Sequence, residues 1–542
     1  MHFTAPLYQN LKECVFFIHS DIRHEIDYAT ICAMKRYLLI MAPVAVSAVV
    51  STAALPLVPA PRKCTEEGGR LVKSGQVGRD DARFVTDASL PAEGYCLKVS
   101  SGGIVVHHRD KAGALYALKS LEQIAVFTNG VSSVPCVEIE DYPSFRWRGV
   151  HIDESRHFFG KETLKQVLDL MAMHKLNVLH WHLTDDQGWR LEVPGRPELI
   201  KYGAVRPQSP VHGVRQRRTA SGEPYIPLNG QVYGPFYYTP ADVREIVAYA
   251  AERCITIVPE IEFPGHFAAA LAAYPAFACR PENFADRSPR CIWGVEKDVL
   301  CAGNDEALKF LEDVLDYVAK VFPGEFVHIG GDECPVVRWR DCKKCQARIK
   351  AENLGGVDAL QPWITRRMEK FLRERGKRTV GWDEYLAGDV PEDAVCMSWH
   401  SRNDRPVGFV SAEEAVRRGH EVVMTPVDWT YFYCGQEIPD DPFLYGRGDV
   451  GLKKVYDFNP AADIPEEFRP RILGGQCCNW SEYTWNEYDL GWKMWPRTCA
   501  IAEALWTGDG RPGYDCFLER MRVHRKRLVG LGVFCAPLPP YR

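Results

Sequence analysis

From Arg148 onward, short apolar runs alternate with longer stretches in which apolar residues recur at helical spacing. The runs are "GVHIDE" (149–154), "NVLHWHL" (177–183), "TIVPEIE" (256–262), "FVHIGGDE" (326–333), "RTVGWDE" (378–384), "AVCMSWH" (394–400), "EVVMTP" (421–426) and "ILGGQCCNW" (472–480). Near-continuous apolar runs of this length predict strands buried on both faces of a parallel sheet. The intervening stretches, such as "KETLKQVLDLMAMHK", "TPADVREIVAYAAER" and "NDEALKFLEDVLDYVAKVF", predict amphipathic helices that cover the sheet. Eight such units predict an α/β TIM (β/α)8 barrel, with a doubly wound open sheet as the alternative. The ends of the runs favour the barrel. Nearly all finish in polar or aromatic residues: Asp153 and Glu154, His182, Glu260 and Glu262, Asp332 and Glu333, Trp382 and Asp383, Trp399 and His400, and Trp480. A barrel gathers those C-terminal ends into one ring, where barrel active sites lie; an open sheet strings them along a line.

Ahead of the barrel the pattern differs. "GYCLKVSSGGIVVHHRD" reads as two alternating strands joined through glycines, and "KAGALYALKSLEQIA" as a helix. The chain therefore divides into residues 1–60, a small α+β domain over 61–143, and a barrel over 144–542. Within the first stretch, "MKRYLLIMAPVAVSAVVSTAALPL" begins at Met34 with two basic residues, runs into an apolar segment and ends in small residues. That is the pattern of a signal peptide, and it implies export to a periplasmic, cell-surface or extracellular site. An uncleaved membrane anchor is the alternative, since the segment is long enough to span. Residues 1–33 read as an extension ahead of the true start.

Composition narrows the chemistry. The 542 residues are 46% hydrophobic and 25% charged, with a formal charge of −5, which gives no electrostatic reason to expect nucleic acid. There is no phosphate-binding loop or nucleotide-binding glycine fingerprint, so no nucleotide and no cofactor are expected. Several of the fourteen tryptophans follow strands, where aromatic rings suit the apolar faces of sugars. Of nineteen cysteines, Cys14 and Cys32 fall in the first stretch. Export favours disulfides among the rest, with Cys279, Cys291 and Cys301 as candidates in one loop. Cys334, Cys342 and Cys345 include a CxxC, but no fourth metal ligand is evident, and disulfides or free thiols are expected there. His180 and His182 share one strand face without an evident third ligand and read as barrel residues. No metal site is expected.

An acidic, tryptophan-rimmed mouth suggests glycoside hydrolysis, which ordinarily uses two carboxyl groups on opposite sides of the bond. Adjacent Asp332 and Glu333 fit that scheme poorly, because neighbouring side chains of an extended chain point to opposite faces. "HIGGDECP" resembles the His-x-Gly-x-Asp-Glu motif of glycoside hydrolase family 20, the β-N-acetylhexosaminidases. The resemblance runs from about Pro61 to the C-terminus through "RGVHIDESRHF", "NVLHWHLTDDQGWRLE", "PEIEFPGH", "WGVEKDVLCAGN", "GWDEYL", "GGQCCNWSEY" and "AEALWTG". It implies a small α+β domain before a TIM barrel and terminal N-acetylhexosamines of glycans as substrates. It also implies a retaining mechanism in which the substrate's own 2-acetamido oxygen is the nucleophile, closing an oxazoline-type intermediate.

By this resemblance Glu333 is the general acid and then base, and Asp332 orients the acetamido N–H; the negative charge of Asp332 is expected to raise the pKa of Glu333. Arg156 matches the arginine that grips the 3- and 4-hydroxyls. Asp185 and His266 match the dyad supporting the general acid. Trp382, Trp399 and Trp480 match the aromatic walls, Tyr431 the donor to the acetamido oxygen, and Glu482 the carboxylate that receives the 4-hydroxyl. Plainer readings stand beside these: Arg156 paired only with Asp153 or Glu154, His266 satisfied in the core, Asp185 or Asp186 capping a turn, and tryptophans as packing. The family's Tyr-x-Asp is here Tyr431-Phe432-Tyr433. Tyr433 thus replaces an aspartate that contacts the 6-hydroxyl, which suggests tolerance of 6-sulfated N-acetylglucosamine unless Asp440 or Asp441 supplies the missing carboxylate. Release of disaccharides by a lacto-N-biosidase, and a catalytically silent glycan-binding relative, are the other readings.

Overall fold

The computed structural model describes residues 55–219, 221–388, 390–401, 410–441 and 448–541. The targeting pattern from Met34 lies outside these residues except for its last three positions, 55–57. Strands Lys63–Ser74, Ala82–Thr86, Tyr95–Ser100, Gly103–His108, Val126–Thr128 and Val131–Asp141 form one sheet, with the helix Lys111–Ile124 on it. The two strands and the helix read from the sequence are all present. That helix starts where the Asp110 side chain accepts from Gly113 N, and it buries Tyr116, Ala117, Leu121 and Ile124 against Leu97, Val99 and Val106 of the sheet. Trp506, from a helix near the C-terminus, enters the same core and donates its indole N–H to Asp141 at 2.9 Å. Lys175 reaches the same carboxylate at 2.7 Å.

Eight parallel strands then close a barrel: Trp147–Asp153, Val178–His182, Thr256–Glu260, Phe326–His328, Arg378–Trp382, Val395–Ser398, Glu421–Met424 and Ile472–Asn479. The last strand pairs with the first from Gly474↔Trp147 to Asn479↔Ile152, so the open-sheet alternative falls. The outer helices follow their sequence signals. Asp305–Val321 begins at Asn304, whose side chain accepts from Glu306 N, and it ends at Phe322, ahead of Pro323. Its inner face buries Leu308, Phe310, Leu311, Val314, Leu315 and Val318, each contributing about 1.5–3 kcal/mol of transfer free energy. Pro240–Glu252 opens with a Thr239/Asp242 capping box.

The interior of the barrel is polar at its C-terminal end. His151, His180, His182, His328 and Glu260 are fully buried. Glu260 lies 3.0 Å from His180 Nε2 and 2.8 Å from His328 Nδ1, accepts from Trp382 Nε1 at 2.8 Å, and pairs with His182. His180 and His182 are barrel residues as expected, but they are not short of companions: partners arrive from neighbouring strands, which local spacing could not show.

The cysteines sort differently from the loop reading. Cys279, Cys291 and Cys301 are free thiols, as are Cys334, Cys342 and Cys345. Cys291 stands apart, its Sγ facing Pro289 O at 3.7 Å, whereas Cys279 and Cys301 gather with Cys342 and Cys345. Cys334 is not in that group and packs its backbone against Gly265.

Candidate active site

The fourth barrel strand stops at His328, and the chain turns through Gly330 (φ 62°) and Gly331 (φ 95°) before reaching the two acids. Gly330 is obligatory on two counts: its backbone is left-handed, and a Cβ there would sit 1.7 Å from Glu262 Oε2. Asp332 and Glu333 therefore lie in a turn beyond the strand, and Glu333 itself is left-handed (φ 44°). The alternation expected of an extended chain does not apply. Both carboxylates approach one ring, with His266 Nε2 3.7 Å from Asp332 Oδ2 and 3.5 Å from Glu333 Oε2. Asp332 is buried while 45% of the Glu333 side chain is open to solvent.

Burial pushes Asp332 up to about 6, with Glu333 adding to the rise and His266 opposing it. Partial burial acts against ionisation of Glu333 as well, but His266 and Arg156 outweigh it and hold that carboxyl below its ordinary value. This reverses the expectation that Asp332 raises Glu333. The more deeply buried acid takes the upward shift, and the more exposed one keeps its charge beside a cationic imidazole. His266 is itself raised well above the usual histidine range; burial opposes this, and Asp185 and Asp332 overcome it.

Arg156 is bound more widely than a simple neighbour pair. Its guanidinium meets Asp185 Oδ2 at 2.7 Å and Asp153 Oδ2 at 3.2 Å, donates to Gln187 Oε1 at 2.9 Å, and lies 5.1 Å over the Trp480 ring. Glu154 turns away, accepting from Tyr238 OH and Phe159 N at 2.9 and 2.7 Å. Asp185 holds His266 Nδ1 at 3.2 Å and His182 Nε2 at 3.0 Å, and Asp186 Oδ2 lies 3.5 Å from the same His266 nitrogen. Both aspartates thus face His266, and Asp186 also accepts from Ala268 N at 3.1 Å, fixing the segment that carries the histidine. Asp185, Asp186 and His266 converge closely enough to hold a cation, but the Arg156 guanidinium already neutralises Asp185.

The aromatic residues form a continuous wall. Trp382 and Trp480 have ring centroids 5.6 Å apart, Trp480 and Tyr431 6.1 Å, and Tyr431 and Trp399 6.2 Å, with the last pair stacked. Tyr431 is placed by its bridge to Cys478 on the eighth strand, and Tyr433 lies 6.0 Å from it. Burial pushes the Tyr431 hydroxyl well above the usual tyrosine range, so it stays a proton donor. Glu482 is half-buried beside Trp480, and burial raises its carboxyl against the pull of Arg156. Asp441, the alternative carboxylate, accepts from Trp492 Nε1 at 3.0 Å.

Two acids beside the site were not among its candidate residues, although Glu262 was named as a strand end. Glu384 accepts from Trp399 Nε1 at 3.0 Å and approaches Glu333 N at 3.4 Å, linking the wall to the acid turn. Its signal was present: Asp383-Glu384 is a second strand-end pair of acids. Glu262 is buried beneath the Gly330 turn, and both its carboxylate oxygens lack a hydrogen-bond partner among the described residues. Burial, Asp332 and Glu260 push it far above the ordinary range.

Residues 145–509 match the model "Glycosyl hydrolase family 20, catalytic domain", and residues 61–142 match that family's domain 2. A beta-hexosaminidase of Porphyromonas gingivalis is 37% identical over 483 residues, covering 86% of this chain and 58% of that protein. The chain thus spans little more than half the length of that relative. A beta-N-acetylhexosaminidase of Cellulomonas fimi is 33% identical, covering 82% of this chain and 80% of that one. Among solved structures, the exo β-N-acetylglucosaminidase of Vibrio harveyi in complex with N-acetylglucosamine superposes with a TM-score of 0.77 at 28% identity, covering 92% of this chain and 81% of that one. The N-acetyl-β-hexosaminidase of Streptomyces plicatus gives 0.74 at 26% identity, covering 92% and 99%.

Proposed function

The chain belongs to glycosyl hydrolase family 20, and from that premise we infer that it is a retaining exo-β-N-acetylhexosaminidase that removes terminal β-linked GlcNAc or GalNAc from glycans. One observation carries the reading: two adjacent carboxylates on a single histidine, one sunk and one open to solvent, stand in a ring of strand ends that also holds an aromatic wall. Two carboxylates gathered on one imidazole nitrogen fit a division of labour in which an internal nucleophile attacks and only one of them transfers the glycosidic proton.

In this mechanism the sugar's acetamido group lies against Trp382, Trp480 and Tyr431. The Tyr431 hydroxyl donates to the acetamido oxygen, and ionised Asp332 accepts from its N–H, so that oxygen is aimed at C1 and the developing positive charge is stabilised. Arg156 and Glu482 take the 3- and 4-hydroxyls. His266, raised well above the usual histidine range, is the group poised to carry the proton, and its Nε2 is 3.5 Å from Glu333 Oε2. A bound sugar covers Glu333, desolvates its carboxylate and raises its proton affinity. The proton then passes to Glu333 and on to the leaving oxygen, and the resulting carboxylate activates the water that opens the cyclic intermediate.

A panel of aryl glycosides tests this. β-GlcNAc or β-GalNAc substrates are expected to turn over, and the β-glucoside, lacking the acetamido arm, to be inert; comparable hydrolysis of the glucoside contradicts the reading. The pH profile follows from Asp332, which must be ionised in the free enzyme. kcat/KM is therefore expected to fall as pH drops through about 6, approaching about tenfold per pH unit below it. A profile level down to the ordinary carboxylate range contradicts that assignment.

Recognition at C6 is placed on Tyr433. A phenol repels no anion and can donate to one, so a 6-sulfated aryl GlcNAc is expected to be cleaved within about tenfold of the plain substrate. Tyr433→Asp is expected to remove that tolerance while sparing the plain substrate, and negligible turnover of the sulfated glycoside by the native protein rejects the assignment. The pattern beginning at Met34 supports an exported enzyme.

A further inference from the structure

The four cysteines Cys279, Cys301, Cys342 and Cys345 come from two different loops and meet in space, all four sulfurs lying within 4.8 Å of one another. The Sγ–Sγ distances are 3.7 Å for Cys279–Cys345, 3.7 Å for Cys301–Cys342 and 3.6 Å for Cys301–Cys345. Sulfur atoms at the corners of a tetrahedron around a metal, each about 2.3 Å from it, are about 3.8 Å apart. Disulfide-bonded sulfurs are about 2.05 Å apart and come in exclusive pairs. Here Cys301 is shared between two partners at nearly equal distance, which is the geometry of a common ligand and not of a pairing.

The backbone is shaped around the cluster. Cys342 caps the helix Lys343–Ala351 and Cys345 lies in its first turn, so both sulfurs sit at a helix start that favours thiolate. The opposing loop, "CAGN", comes so close that a Cβ on Gly303 would lie 2.1 Å from the Lys344 carbonyl carbon. Only glycine allows that approach. Cys301 is fixed by its N–H donating to Phe277 O at 2.9 Å.

We propose that Cys279, Cys301, Cys342 and Cys345 form a tetrathiolate site for a structural zinc ion that clips the loop after the third barrel strand to the loop after the fourth. Binding exchanges four thiol protons for one Zn2+ and changes no oxidation state; the resulting net charge of −2 is offset by Arg280, Arg340, Lys343 and Lys344 beside the ligands in sequence. A bidentate Arg338–Asp298 pair, at 2.9 and 2.8 Å, and the Trp339 indole donating to Leu300 O at 2.9 Å, join the same two loops. The clipped segments carry His266 on one side and Asp332 and Glu333 on the other, so the ion would hold the acid turn against its supporting histidine. Thiolates with no open coordination position favour a closed structural zinc over a catalytic one.

The test is the metal content of the full chain, purified without added metal or chelator. About one zinc per chain is expected, falling by at least about tenfold in Cys342→Ser/Cys345→Ser. Cobalt exchanged into the native protein should show the visible bands of a tetrahedral tetrathiolate, and these should be missing from the variant. Should the double variant fail to fold, Cys279→Ser, at a half-buried corner, serves for the same measurements, and the cobalt spectrum of the native protein decides without any variant. Zinc only at trace level, iron in its place, full zinc retention in the variants, or peptide mapping of the unreduced protein that finds these cysteines in disulfides would each overturn the proposal. The readouts do not depend on glycoside turnover and leave the catalytic reading untouched.

Discussion

Glu333→Gln is expected to lower kcat on aryl N-acetylhexosaminides by roughly two to four decades, the usual range for losing general acid–base catalysis. The loss should depend on the leaving group. A good leaving group departs without a proton, so formation of the cyclic intermediate should be nearly normal for an activated phenol and severely impaired for a natural sugar leaving group. The fold should tolerate the change, because the Glu333 side chain is 45% exposed and its ion pair with His266 Nε2 is long, at 3.5 Å. Rate measurements across a series of phenols, with thermal unfolding as a control, check both halves. A loss in kcat/KM, which reports formation of the intermediate, that is uniform for every leaving group, or no loss at all, would remove Glu333 from its assigned role.

Asp332→Asn is expected to separate activity from stability. The amide cannot offer the acetamido N–H a charged acceptor or offset positive charge as the ring closes, and kcat should fall on the order of 10²–10³-fold, as when other preorganised electrostatic partners are removed. Stability should move the other way. Asp332 has a folded-state pKa of about 6 against roughly 3.9 in an unfolded chain. Between those values the folded protein binds more protons than the unfolded one, so stability falls as pH rises through the window. Above it the buried carboxylate costs on the order of 2–3 kcal/mol. Asparagine avoids that cost, so the variant should melt higher than the native protein near pH 7, and the difference should vanish near pH 4. A destabilised variant at neutral pH would mean that Asp332 has hydrogen-bonding partners in the free enzyme that outweigh its burial.

Much of the fold was legible because it rests on local period. Each of the eight barrel strands overlaps an apolar run, and the polar strand ends named for the ring do collect at one end of the barrel. The acids at 332 and 333 stood out at a strand end, Arg156 and Asp185 with His266 were legible through the resemblance to the family's motifs, and the structure brings them within hydrogen-bonding or ion-pairing reach of one another. The rest depended on information that sequence order does not hold. Which of two adjacent acids is sunk depends on the turn at Gly330 and Gly331, and this reversed the expected order of their proton affinities. Glu154 and Glu262 also follow strands, yet one is tied to Tyr238 and the other is shut beneath the acid turn. The partners of the Cys342-x-x-Cys345 pair lie on a separate loop, so no spacing rule could supply them, and Cys291, which shares that loop, points elsewhere.

The central claim is that the substrate's own amide oxygen, not a protein carboxylate, attacks C1. Turnover of aryl glucosaminides whose N-acyl group carries none, one, two or three fluorines measures this directly, since each fluorine withdraws electrons from that oxygen and leaves the enzyme unaltered. The account predicts a steep, stepwise fall in kcat across the series. Rates that stay level with fluorination would place the nucleophile on the protein and contradict it.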